Sequence, residues 1–194
     1  MLKRMMVWVL MIMFFPCIVL SETVPPFELE TGIVFGTTMK EVQDESFQDF
    51  HKGSSTELIC NTTICGVDAS MALSFGKKTG LYEIICQFDT KGLKAKYCIS
   101  DYENVSSELV ERYGVAAISG NRWTSKEVYE QYGDDVVSAL EKRKTVFVEC
   151  WNFTDVYIVH MMAKTKSEGI QHFLDYYSPL LHPDIDKLRE TYGY

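Results

Sequence analysis

The stretch Val67-Asp68-Ala69-Ser70-Met71-Ala72-Leu73-Ser74-Phe75 sets an apolar side chain at every odd position and a polar or small one between. A period of two marks a strand with one face on a core, so this segment points to an antiparallel sheet. A turn over Gly76 to Gly80 leads into Leu81 to Phe88, which is again strand-like, and Glu57 to Cys60 precedes the pair as a shorter strand. Beyond Phe88, the residues Asp89-Thr90-Lys91-Gly92 carry turn chemistry, and Leu93, Ala95, Tyr97 and Ile99 alternate after them. The pattern predicts a hairpin from Leu81 to Ser100, with Phe88 opposite Leu93. Cys86 then faces the core and Cys98 faces outward with Lys94 and Lys96, which disfavours a bond between the two cysteines.

Helical signals flank this sheet. Thr38 with Glu41 three residues on forms a capping box, and Met39, Val42, Phe47 and Phe50 follow at helical spacing, so a helix is expected from Met39 to Phe50. A second is expected from Asp101 to Gly114, with Tyr102, Val105, Leu109, Val110 and Tyr113 along it. Sheet-like or irregular chain over Ile118 to Trp123 precedes short helices over Ser125 to Tyr132 and Asp134 to Lys142. Strands over Thr145 to Phe153, Val156 to Lys164 and Ile170 to Ser178 follow, and residues 183–192 close the chain as an amphipathic helix. The tetrapeptide Glu-x-Tyr-Gly recurs at Glu111, Glu130 and Glu190, and reads as a helix end packed by tyrosine and capped by glycine.

The first 21 residues have the form of a secretory leader: Lys3 and Arg4, an apolar run from Met5 to Leu20, and small residues before Glu22. If the run were retained it would reach only about 24 Å as a helix, against a hydrocarbon core of about 30 Å. Residues 22–194 are therefore expected to form a single exported domain that touches a membrane only through an uncleaved leader. Two of the 19 basic residues and none of the 27 acidic ones lie in the leader, so the remainder carries a formal charge of −10. Such a surface argues against nucleic acid as a partner.

Five cysteines follow the leader: Cys60, Cys65, Cys86, Cys98 and Cys150. The local candidate for a disulfide is Cys60 with Cys65, across four residues. The same two sulfurs would need two more ligands to hold zinc, and no cysteine or histidine follows at suitable spacing. Neither His51, His160, His172 nor His182 belongs to a zinc motif, and no cofactor is expected. Cys150 with His160 is the most tempting catalytic pair. A tight turn at Thr154-Asp155 sets Phe153 opposite Val156 and Cys150 opposite Val159, which throws His160 to the other face. The abundance of Tyr and Trp is the feature with functional weight, and Trp123, Trp151, Tyr157 and Tyr176 are the candidates for an aromatic binding surface on an open sheet.

The residues Gly36 to Val42, Asn61 to Gly66, Leu81 to Phe88, Glu108 to Gly114, Trp123, Trp151 and Tyr176-Tyr177-Ser178 together resemble an uncharacterised family of exported proteins from Gram-positive bacteria. More remotely, the order of elements is similar to the tandem helix-plus-sheet fold of β-lactamase inhibitor protein and of small outer-membrane assembly lipoproteins. The resemblance implies an α+β fold of two successive helix-plus-antiparallel-sheet halves, residues 33–100 and 101–178. It also implies a secreted or envelope-associated, non-enzymatic module that binds another protein or a peptide. An inhibitor of a secreted or cell-wall enzyme is the first alternative, and a hydrolase using a thiol or a carboxylate is the second.

Overall fold

In the structure, a computed structural model, residues 33–45 and 49–184 are described. The leader lies outside them, as does the expected C-terminal helix beyond Asp184. The first helix, α1, spans Met39–Glu45. Its capping box is formed: the backbone N–H of Thr38 donates to Glu41 Oε2 at 2.8 Å, and the Glu41 N–H donates to Thr38 Oγ1 at 3.3 Å.

Eight antiparallel strands make one sheet: β1 (His51–Ser54), β2 (Glu57–Ile64), β3 (Val67–Gly76), β4 (Gly80–Phe88), β5 (Ile118–Trp123), β6 (Thr145–Asn152), β7 (Tyr157–Lys164) and β8 (Ile170–Tyr177). Their order is β1-β2-β3-β4-β8-β7-β6-β5. Each run of four is a meander of neighbours, and the last strands of the two runs, β4 and β8, pair in the middle. The helices α2 (Ala95–Tyr113), α3 (Lys126–Tyr132) and α4 (Val136–Glu141) complete the fold, which is mixed, with sheet dominating.

The strand expected over Leu93 to Ile99 is instead the start of α2. Ala95, Cys98, Tyr102, Val105 and Leu109 are its buried residues, and they fall three, four, three and four apart. That spacing puts them on one helical stripe, while Leu93 and Tyr97, which the alternation had placed in the core, are exposed. Cys98 is consequently fully buried on the helix, not turned outward on a strand. The first meander takes its fourth strand from the other end: β1 is short, polar and wholly exposed, so it carries no hydrophobic signal. β2 runs on past Cys60 to Ile64, and Cys65 and Gly66 make a two-residue turn with φ of 51° and 76°.

Register sorts the side chains. Leu58, Cys60, Met71, Leu73, Ile84, Cys86, Leu174, Tyr176, Ile158 and Trp151 share the face toward the helices, where Val42, Val105 and Leu109 pack on them. Fully burying one such aliphatic side chain stabilises by about 1.5–3 kcal/mol, so this layer carries the fold. The turn between β6 and β7 has the expected register, with Cys150 opposite Val159. Gly80, at φ 69°, meets the chain ahead of α1: an added Cβ there would collide with the backbone of Gly36 and Thr37, where the Gly36 N–H donates to Leu81 O and the Leu81 N–H donates to Thr37 O, each at 2.8 Å.

Of the recurring tetrapeptides, the one at Glu111 ends α2 as expected: Gly114 has φ 78° and donates to Val110 O. The one at Glu130 differs, because Gly133 stays right-handed at φ −53°, where an added Cβ would crowd Tyr129 O. The third falls outside the described residues.

Candidate functional site

Two features of this fold hold chemistry, one sealed and one open. The sealed one forms where β6, β7 and β8 pass under α2. Glu149 and His160 are register partners on β6 and β7, and His172 sits one row further along on β8. His160 Nδ1 is 3.1 Å from Glu149 Oε2, and His160 Nε2 is 2.8 Å from His172 Nε2. The Glu149 Oε1 atom accepts from the hydroxyls of Ser106 on α2, at 2.7 Å, and Ser119 on β5, at 3.3 Å. The Tyr102 ring stacks on His160 at 4.0 Å and 8°, and Phe88 stacks on His172 at 4.1 Å. Both histidines are buried to 1% exposure or less.

Burial and hydrogen bonding together set the charge and tautomer of this row. Burial opposes ionisation of Glu149, but the His160 hydrogen bond and the Ser106 hydroxyl outweigh it, and the carboxyl is held below the usual carboxylate range. Burial lowers His160 despite its carboxylate neighbour, and burial together with His160 pushes His172 down to about 2. At neutral pH the row is a carboxylate and two neutral imidazoles. Glu149 takes the proton of His160 Nδ1, so His160 Nε2 accepts and His172 Nε2–H donates. That leaves His172 Nδ1 a bare lone pair, and it has no hydrogen-bond partner.

The open feature is a groove of about 1150 Å³ at one end of the sheet. Its walls are the tip of the β2–β3 hairpin, the loop from Asp89 to Lys94 that enters α2, and the β7–β8 turn. Hydrogen bonds brace it: Gln87 Nε2 donates to Gln171 Oε1 at 2.7 Å, Thr90 Oγ1 donates to Ile170 O, and Gln171 Nε2 donates to Glu168 O at 3.2 Å. Hydroxyl and amide side chains share the lining with ammonium groups from Lys91, Lys94 and Lys164 and carboxylates from Asp68, Asp89, Glu141 and Glu168. A braced concave surface of mixed polar groups suits ligand binding without rearrangement.

The four aromatic candidates do not share a surface. Trp151 and Tyr176 are in the core on the helix side, because both fall on the inward alternation of their strands. The Trp151 Nε1–H donates to Gly114 O at 2.8 Å, tying the end of α2 to β6. Tyr157 lies on the reverse face against Tyr177, and Trp123 lies on the edge strand against Tyr129, each pair at 5.5 Å between ring centroids.

The Cys60–Cys65 disulfide is not formed, and none of the five described cysteines is in one. β2 runs extended from Cys60 to Ile64, about 13 Å at roughly 3.3 Å per residue, beyond the reach of a disulfide. Burial raises the Cys60 thiol to about 11 and Cys86 further still, so both stay protonated at neutral pH. Cys150 and His160 lie on opposite faces.

On the reverse face, Asp175 is 4% exposed and its Oδ1 has no hydrogen-bond partner. Burial, with a smaller contribution from Glu83, raises its carboxyl well above the ordinary value. A raised carboxyl contributes stability at low pH that is lost as pH climbs past the unfolded value of 3.8. Asp175→Asn is therefore expected to stabilise the protein at pH 7.5 by about 1–3 kcal/mol, with the gain shrinking toward pH 4. Thermal melts at the two pH values measure it, and a lower melting temperature for the variant at pH 7.5 would show a carboxylate that is charged and paired.

The register of Cys150 opposite Val159 also makes Glu149 and His160 partners, a pairing that sequence reasoning left undrawn. That reasoning missed His172 and the groove, because both depend on how separate strands and loops come together. The chain matches no protein-family model, no curated protein and no solved structure.

Proposed function

We propose that the chain is an exported, non-enzymatic binding module that takes a polar segment of another protein or a peptide in the groove at the end of its sheet. The observation that carries this reading is the contrast between the two features. The groups suited to moving protons, Glu149, His160 and His172, are sealed from solvent, whereas the open surface is a braced set of amides, hydroxyls and opposed charges. Hydroxyls and amides recognise a polypeptide backbone by donating and accepting at once. The leader-like first 21 residues support an extracytoplasmic location. The order of the sheet supports a tandem origin, with α1 and β1–β4 as one unit and α2 through β8 as its counterpart, meeting at β4 and β8.

The test is capture from envelope and secreted fractions by residues 22–194, in parallel with Ser70→Tyr, which fills the groove from β3, and Val115→Lys, which alters an exposed site outside it. The expected result is one saturable protein partner held by the wild type and Val115→Lys and lost by Ser70→Tyr. A partner indifferent to Ser70→Tyr would move the site elsewhere, and recovery of the protein alone would overturn the reading. If the partner proves to be a secreted or cell-wall enzyme, its activity with and without the protein distinguishes an inhibitor from a scaffold.

A further inference from the structure

Counting protons in the sealed row shows that it is full. Four ring nitrogens carry two protons in the neutral state, one on His160 Nδ1 toward Glu149 and one between the two Nε2 atoms at 2.8 Å. A third proton has one open ring position, His172 Nδ1, and there it would face no acceptor. The resulting imidazolium would sit between the rings of Phe88 and Tyr102. Contact with aromatic faces returns about 0.5–2 kcal/mol to a cation, less than burying an unpaired charge costs. The alternative acceptor, Glu149, is equally constrained, because protonating it removes the charge that orders His160, Ser106 and Ser119.

The groups around the pair come from every element packed on it. Helix α2 supplies Tyr102 and Ser106; β4 supplies Phe88; β5 supplies Ser119; β6 supplies Glu149. Of these, Glu149 carries the charge, and it already engages His160. Two of the contacts, Tyr102 on His160 and Ser106 on Glu149, are among those that join α2 to this half of the sheet, beside the packing of Ala95, Cys98 and Tyr102 on Phe147 and Met162.

We propose that Glu149, His160 and His172 form an acid-released latch: mild acid drives a proton onto His172, and the first half of α2 lifts from the sheet so that the charge can reach water. Lys94 and Ala95, at the start of the helix, line the groove, as does Phe88 beneath His172, so release reshapes that wall. This consequence rests on the groove reading above, whereas the opening of the helix does not.

Hydrogen exchange followed by mass spectrometry on residues 22–194, at pH 7.5, 6.5 and 5.5 with intrinsic rates corrected, tests the latch. Amides 95–106 are expected to lose protection about tenfold per pH unit below roughly 6.5, while β2 and β3 keep theirs. His172→Phe keeps the ring stacking and removes the unpaired proton site; a proton taken instead by the freed His160 Nε2 is neutralised by Glu149, so the helix should hold its protection across the range. Ring-nitrogen NMR on the wild type covers the case in which that variant does not fold. It should show His172 neutral with a bare Nδ1 at pH 7.5, and no imidazolium form while α2 is protected. The latch is overturned by simultaneous loss of protection in helix and sheet, by a helix indifferent to pH, or by a protonated His172 under a protected helix.

Discussion

Glu149→Ala is expected to lower the unfolding free energy by about 3–5 kcal/mol, because each buried donor left without its acceptor costs about 1–3 kcal/mol. The loss is large because His160 Nδ1–H and Ser106 Oγ–H, buried and half-buried, are stranded together, while the exposed Ser119 Oγ–H can turn to water. Glu149→Gln separates charge from geometry. Its amide oxygen still accepts from the two serines, but its NH₂ group faces His160 and forces the opposite tautomer, which drives the proton along to His172 Nδ1, where it has no acceptor. An intermediate loss of about 1–3 kcal/mol is expected for leaving one buried donor unsatisfied. Denaturant unfolding at pH 7.5 measures both, and equal stability of the three proteins would mean that the row is not hydrogen-bonded as described.

Trp151→Ala is expected to cost a similar 3–5 kcal/mol, as truncation of a large buried aromatic does. The side chain is 2% exposed in the main core, and its indole also fixes the last turn of α2 through Gly114 O at 2.8 Å. Trp151→Phe keeps most of the volume and loses the hydrogen bond, so it should cost less overall yet still loosen the helix end. Denaturant midpoints give the first effect, and hydrogen exchange at residues 110–114 gives the second. A cost below about 1 kcal/mol for Trp151→Ala would show that the ring is not a core residue. Either result bears on function, because a tryptophan spent on packing cannot anchor a partner.

Where the sequence could be read, it was read through local pattern. The strict alternation from Val67 to Phe75 specified a strand and its inward face. The two residues at Thr154-Asp155 fixed the pairing of β6 with β7, and hence that Cys150 and His160 point apart. Thr38 and Glu41 specified the start of α1. The segment from Leu93 to Ile99 fits a strand and a helix about equally over seven residues, and only the continuation through Tyr102, Val105 and Leu109 decides for the helix.

The sequence by itself determined that this chain is a mixed α+β protein with an antiparallel sheet, because periods of 2 and 3.6 are written into the spacing of apolar residues. Tertiary structure alone decided that β4 meets β8, and that meeting created the rest. It brought His172 against Phe88 of one meander and His160 of the other, and it set the Asp89–Lys94 loop beside the β7–β8 turn to form the groove. It also assigned Trp151 and Tyr176 to the core, since which aromatic residues a sheet buries depends on what packs over each face. Contacts between residues some 80 positions apart, such as Thr90 with Ile170, depend on the strand order that closes the sheet, and no local spacing records that order.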